Sequence, residues 1–232
     1  MLEITDIHTY YGESHVLHGV DMEVKDGTVV TLLGRNGMGK TTTIRSIMGL
    51  TPPRRGSIKF DGTELVGMAP EKISRVGIGL VPQGRMIFPS LSVTENLTMA
   101  ARTGDKQDPW TLEKVYETFP RLKERGKNKG NLLSGGEQQM LTVCRTLMGN
   151  PDLLLMDEPV EGVAPLVVRD LGTQILRLKD MGETILFSEQ NVKFALMTAE
   201  RAYVIDRGRI PFAGSISELS SNDEVKQKYL MI

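Results

Sequence analysis

The apolar positions divide the chain into short runs. Leu2-Glu3-Ile4 and Val20-Asp21-Met22-Glu23-Val24 alternate apolar with polar residues, the period of a strand with one buried face. Thr28-Val29-Val30-Thr31-Leu32-Leu33 is a continuous β-branched apolar run, the pattern of a strand covered on both faces. Ser57-Ile58-Lys59-Phe60, Ile78-Gly79-Leu80-Val81 and residues 152–156, 184–188 and 202–206 read as further strands. Asp26-Gly27 and Asp61-Gly62 are turn signals, and Arg207-Gly208 closes a hairpin-like ending. Helical spacing predicts helices over residues 41–50, 93–102, 112–125, 136–148 and 166–181, and from Glu218 onward. Met140, Val143, Cys144, Leu147 and Met148 share one face of the helix over 136–148. Strand runs vanish between residues 92 and 133, where a loop at 105–109 separates two helices. Strands alternating with helices predict an α/β fold whose mainly parallel sheet is covered on both faces, with a helical lobe inserted in it.

Composition narrows the class. A chain of 232 residues, 40% hydrophobic, suits one large domain with a real core. The net charge of −1 gives no electrostatic reason to expect nucleic acid as a partner. Residues 121–129 are basic but lack interleaved aromatics, so they read as solvated surface. The one cysteine, Cys144, excludes an internal disulfide, fits a reducing compartment and sits on an apolar helix face as a core residue. No apolar stretch approaches the ~20 residues of a membrane span, and the N-terminus has no apolar leader core. The protein is expected to stay in the compartment where it is made.

Two motifs carry chemistry. Gly34, Arg35, Asn36, Gly37, Met38, Gly39, Lys40 and Thr41 fit the phosphate-loop pattern Gly-x4-Gly-Lys-Thr, followed by Thr42, between a buried strand and a helix. Glycines let successive N–H groups curl inward toward phosphate oxygens, and the helix N-terminus adds partial positive charge. Lys40 has the reach for the β- and γ-phosphates, and the Thr41 hydroxyl suits Mg²⁺. Leu153-Leu154-Leu155-Met156 ends in Asp157 and Glu158. After a phosphate loop, this acidic strand end reads as the other half of the site. Asp157 is expected to hold Mg²⁺, and Glu158 to orient or deprotonate the attacking water. Together they predict a nucleotide-dependent phosphoryl-transfer enzyme.

The segment Leu133, Ser134, Gly135, Gly136, Glu137 and Gln138 opens a helix just ahead of that strand. Here the chain resembles the ATP-binding cassette superfamily, whose signature is Leu-Ser-Gly-Gly-Gln or a close variant. The resemblance runs the whole length. It implies a RecA-like core with an antiparallel β edge, residues 1–83 and 134–232, and a helical lobe at 84–133. It implies that the signature, Leu133 to Glu137, acts on ATP held by a partner cassette. Ser134 and Glu137 also have the spacing of an ordinary capping box, and both roles can hold at once. Tyr11, before Gly12, matches the aromatic that stacks on adenine, with Val16 flanking the base. Gln83 matches the glutamine that meets Mg²⁺ and the attacking water.

Two positions depart from the family pattern. The switch histidine is replaced by Gln190, and the three histidines, His8, His15 and His18, all lie near the N-terminus. The loop after Glu158 ends in Ala164 where an aspartate is common. Ser188-Glu189-Gln190-Asn191, Gly84-Arg85-Met86-Ile87-Phe88-Pro89 and Phe119-Pro120-Arg121-Leu122-Lys123-Glu124-Arg125 resemble the second ATPase subunit of importers for branched-chain amino acids, urea or short amides. That resemblance implies ATP and Mg²⁺ as cofactors. It implies a second cassette in a homo- or heterodimer, integral membrane permeases, and a cytoplasmic place on the inner face of the plasma membrane. The alternatives are a soluble cassette ATPase without a membrane partner and a nucleotide-sensing module.

Overall fold

The computed structural model describes residues 1–102 and 106–231. The alternating N-terminal runs extend into one long hairpin, β1 (Leu2–Tyr11) and β2 (Ser14–Val24). The two-residue alternation fades along the hairpin because the register slips between Ile4 and Ile7 and again between Thr9 and Tyr10. Each slip breaks the two-residue period on which sequence reading depends. Then follow β3 (Val29–Leu33), β4 (Arg55–Phe60) and β5 (Thr63–Glu64). The first sheet is antiparallel, ordered β2-β1-β4-β5.

The second sheet holds β3 with β6 (Ile78–Val81), β7 (Leu153–Asp157), β8 (Thr184–Glu189), β9 (Arg201–Asp206) and β10 (Arg209–Ser215). Its order is β10-β9-β3-β8-β7-β6, parallel except for β10 against β9. The apolar strands β3 and β7 alternate between two cores. Val30, Leu32, Leu153 and Leu155 face the antiparallel sheet and helix α1 (Lys40–Ile47). Val29, Leu33, Leu154 and Met156 face the opposite core. Burial on both sides is why these strands read as unbroken apolar runs.

Further helices are α2 (Pro70–Arg75), α3 (Val93–Thr98), α4 (Leu112–Thr118), α5 (Pro120–Glu124), α6 (Gly135–Leu147), α7 (Pro165–Asp180), α8 (Val192–Thr198) and α9 (Ile216–Ser221). The single helix expected over 112–125 is two. Pro120 lacks an N–H and disfavours helical backbone at Phe119, which sits at φ −124° and ψ 72°. The helix expected over 93–102 ends at Thr98, and the C-terminal helix is divided after Ser221. Helices α2 and α8 have no counterpart among the helices expected from the sequence. The loop expected at 105–109 begins at Asp105, which lies outside the described residues.

Helices α3 to α5 share the second core: Val93, Leu97, Trp110, Val115, Phe119 and Leu122 pack with Leu141, Leu171 and Leu178. The Trp110 N–H donates to Asn150 Oδ1 at 2.6 Å, and its ring Nε1 donates to Glu183 at 2.7 Å. Among the described residues, no helix is long and apolar enough to cross a membrane.

Candidate active site

The register of the central sheet sets Leu33 beside Glu189 and Asp157 beside Ser188. The carboxyl ends of β3, β8 and β7 therefore form one edge, where open parallel sheets bind ligands. The phosphate loop leaves β3 at that edge. Gly39 begins α1 at φ +113°, a backbone value an L side chain rarely adopts. The turn aims Lys40 back over its own loop. Its Nζ donates to the carbonyls of Gly34 at 2.8 Å and Arg35 at 3.0 Å, and faces Asn36 Oδ1 at 3.5 Å.

Lys40 also forms an ion pair with Glu158, Nζ to Oε1 at 3.0 Å, with 3% and 8% of the two side chains exposed. Sequence reading places the two in one site but does not foresee that they pair. Glu158 directly follows β7 with φ +49°, and its N–H donates to both the carbonyl and Oγ of Ser188 at 3.1 Å.

Asp157 Oδ1 accepts from Thr41 Oγ1 at 3.2 Å and from Ser188 Oγ at 2.6 Å. Burial raises Asp157 above the usual carboxylate value, and the Ser188 and Thr41 hydroxyls and the Lys40 charge partly offset this. A hydroxyl and a carboxylate held this close form an oxygen donor set that fits a hard divalent cation such as Mg²⁺.

Ser188 and Glu189 belong to the site although the sequence assigns them no part. Glu189 is buried, and its carboxylate accepts from the N–H groups of Val160, Gln190 and Asn191 at 3.0–3.1 Å. Burial raises its pKa to about 7, against the lowering effect of those three bonds. The available signal was an apolar strand ending in Ser188 and Glu189, as β7 ends in Asp157 with Glu158 directly after it.

Other candidates stand further out. Gln190 is exposed, and its backbone is tied to Glu189. The Gln83 amide donates to the Glu161 carboxylate, and among the described residues no hydrogen bond joins it to Thr41 or Asp157. Tyr11 is 45% exposed at the hairpin end, whereas Tyr10 stacks on His15 and carries Arg54 over its ring. Val16 lies on the adjoining strand, partly buried. The phosphate loop is tied to this hairpin through Gly208, which donates to the Met38 carbonyl at 2.9 Å and accepts from the His18 N–H at 2.8 Å. Thr42 is buried behind the loop.

Ser134 is the N-cap of α6. Its hydroxyl accepts from the Glu137 N–H at 3.3 Å, and the Glu137 carboxylate accepts from the Ser134 N–H at 2.8 Å. Burial would raise Glu137, but these bonds and Arg125 hold it below its ordinary value. Leu133 is buried, Ser134 exposed, and Gly135 and Gly136 are intermediate at the start of the helix.

The ABC transporter family profile matches residues 17–161. The chain is 44% identical over 231 residues to the high-affinity branched-chain amino acid transport ATP-binding protein BraG of Pseudomonas aeruginosa, covering 99% of each chain. It is 34% identical to the probable branched-chain amino acid transport ATP-binding protein LivF of Archaeoglobus fulgidus, covering 98% of this chain and 97% of that one. Its fold matches a nucleotide-free ATP-binding cassette from an ABC transporter with a TM-score of 0.84 at 28% identity, covering 97% and 96% of the two chains.

Proposed function

This chain belongs to the ABC transporter ATP-binding family, and from that premise we infer that it is the ATP-hydrolysing subunit of an importer for branched-chain amino acids or related small solutes. The observation that carries the chemistry is the convergence of Lys40, Thr41, Asp157 and Glu158 at one sheet edge. The cargo follows from likeness to the two amino acid transport relatives.

The residues divide the work. Gly34, Arg35, Asn36, Gly37, Met38 and Gly39 curl around the phosphates, and Lys40, Thr41 and Thr42 follow at the helix start. Tyr11 offers its exposed ring to adenine, beside Val16. Thr41, Asp157 and Gln83 would hold Mg²⁺, which when bound draws charge from the phosphates. Ser188 keeps Asp157 oriented. Before nucleotide arrives, Lys40 is occupied by Glu158 and by the carbonyls of Gly34 and Arg35. Phosphate oxygens replace those partners. Lys40 then leaves Glu158, and the freed carboxylate can take a proton from water. Gln190 supplies a neutral amide donor, which is weaker than a charged imidazole.

The signature residues Leu133, Ser134, Gly135, Gly136 and Glu137 serve ATP bound by a second cassette, in a homo- or heterodimer. The lobe at 84–133 meets integral membrane permeases, which places the chain on the cytoplasmic face of the plasma membrane. A nucleotide-sensing module is disfavoured because Lys40, Thr41, Asp157 and Glu158, the side chains turnover would use, meet at one sheet edge. A soluble cassette without a membrane partner is disfavoured by likeness to transport subunits.

ATP turnover by the purified chain tests the reading. Turnover per chain should rise with protein concentration and rise again on adding the cognate cassette and permeases. Lys40→Ala and Glu158→Gln should each remove it. A Glu158→Gln chain with wild-type turnover ends the assignment of Glu158.

A further inference from the structure

We infer that Glu161 is a positioning residue that fixes which end of the Gln83 amide is offered to the metal. This inference rests on the reading of Gln83 as a metal-contacting group. Glu161 lies in the loop just past β7, its N–H donating to the Glu158 carbonyl at 3.2 Å. The Gln83 Nε2 donates to its carboxylate. A second tie joins the same two segments: Arg85 Nη2 donates to the Gly162 carbonyl at 3.0 Å.

The chemistry of the pair gives it a direction. An ionised carboxylate can only accept, so it can hold an amide only through the NH₂ end. With Nε2 committed, Oε1 is the acceptor Gln83 has left for any other partner. Mg²⁺ takes oxygen ligands, and an NH₂ turned toward it would repel rather than bind. A glutamine with no such neighbour can present either end. Both side chains are exposed, and an exposed contact of this kind adds little to stability. Its effect is on orientation.

Mn²⁺ binding to the full-length chain with a non-hydrolysable ATP analogue, followed by electron paramagnetic resonance, tests this without turnover. Metal-free analogue affinity is measured for each variant as the reference for its Mn²⁺ affinity. Gln83→Ala should weaken Mn²⁺ binding, and Glu161→Lys should weaken it by a similar factor, about tenfold. Lysine only donates, so it would draw Oε1 to itself and turn NH₂ toward the metal. Glu161→Gln can accept from Nε2 or donate to Oε1, so it no longer fixes the amide, and its Mn²⁺ affinity should fall between wild type and Glu161→Lys. In a Gln83→Ala background, Glu161→Lys should add no further loss. If it does add one, the lysine charge acts directly on the metal and the inference falls. A weakened Gln83→Ala beside an unweakened Glu161→Lys overturns the inference alone. A Gln83→Ala chain with wild-type Mn²⁺ affinity removes the reading of Gln83 and this inference with it.

Discussion

Lys40, proposed to bind the nucleotide, has a buried ammonium that already has a carboxylate partner. Phosphate must compete with Glu158 for it. Glu158→Gln leaves a neutral competitor that holds lysine less tightly than a carboxylate does. ATP affinity should therefore rise by roughly three- to tenfold, about 1 kcal/mol, while turnover is lost. Titration with a fluorescent ATP analogue reads the affinity. Relief of repulsion between Glu158 and the phosphates would also tighten binding, so the same substitution belongs in a Lys40→Ala background. There the gain should largely disappear; a gain of the same size would mean that the ion pair does not compete.

At the scale of the element, α6 has two duties at one end. Ser134 caps the helix, and the same hydroxyl is proposed to meet a partner's phosphate. Substitution can separate them. Ser134→Ala removes the cap and should cost about 1 kcal/mol of stability. Ser134→Asp keeps a capping oxygen and adds a favourable charge at a helix N-terminus. Its thermal midpoint should stay near wild type. Turnover of the assembled dimer should nevertheless fall sharply, because a carboxylate would face the incoming phosphate. Wild-type turnover in Ser134→Asp would reduce the signature serine to a cap. The following glycines serve packing as well: a Cβ at Gly136 would stand 2.3 Å from Val167 Cγ1, which joins α6 closely to α7.

At the scale of the whole molecule, the active edge imposes a pH dependence on the fold. Glu189 sits under the site with a pKa of about 7, against an ordinary 4.5. Between those values the folded chain keeps a proton that the unfolded chain has released. Stability should therefore fall as pH rises through this window, by an amount on the order of a few kcal/mol, and then level off. Asp157, also raised, acts in the same direction. The carboxylates held below their ordinary value, Glu64, Glu95, Glu137 and Glu218, act only at lower pH. Denaturant unfolding followed by the fluorescence of the buried Trp110 would report the slope. If Glu189→Gln keeps the full slope between pH 5 and 7, Glu189 does not carry the effect.

The sequence by itself determined the class of fold, the phosphate loop, the acidic strand end and the capped signature helix. Each is written in consecutive residues: an apolar run of fixed length, a glycine pattern before Lys40, a serine three places before Glu137. The break at Phe119-Pro120 was equally local and could have been read from the proline. Only the tertiary structure decided what those pieces touch. Lys40 and Glu158 lie far apart in the chain, and their pairing exists because β3 and β7 flank β8 in one parallel sheet. Ser188 and Glu189 became site residues for the same reason. The hold of Glu161 on Gln83 depends on a loop and a strand end meeting across the sheet edge. Periodicity reports which face of an element is buried, but the partner on that face is set by strand order and register, which no local pattern contains.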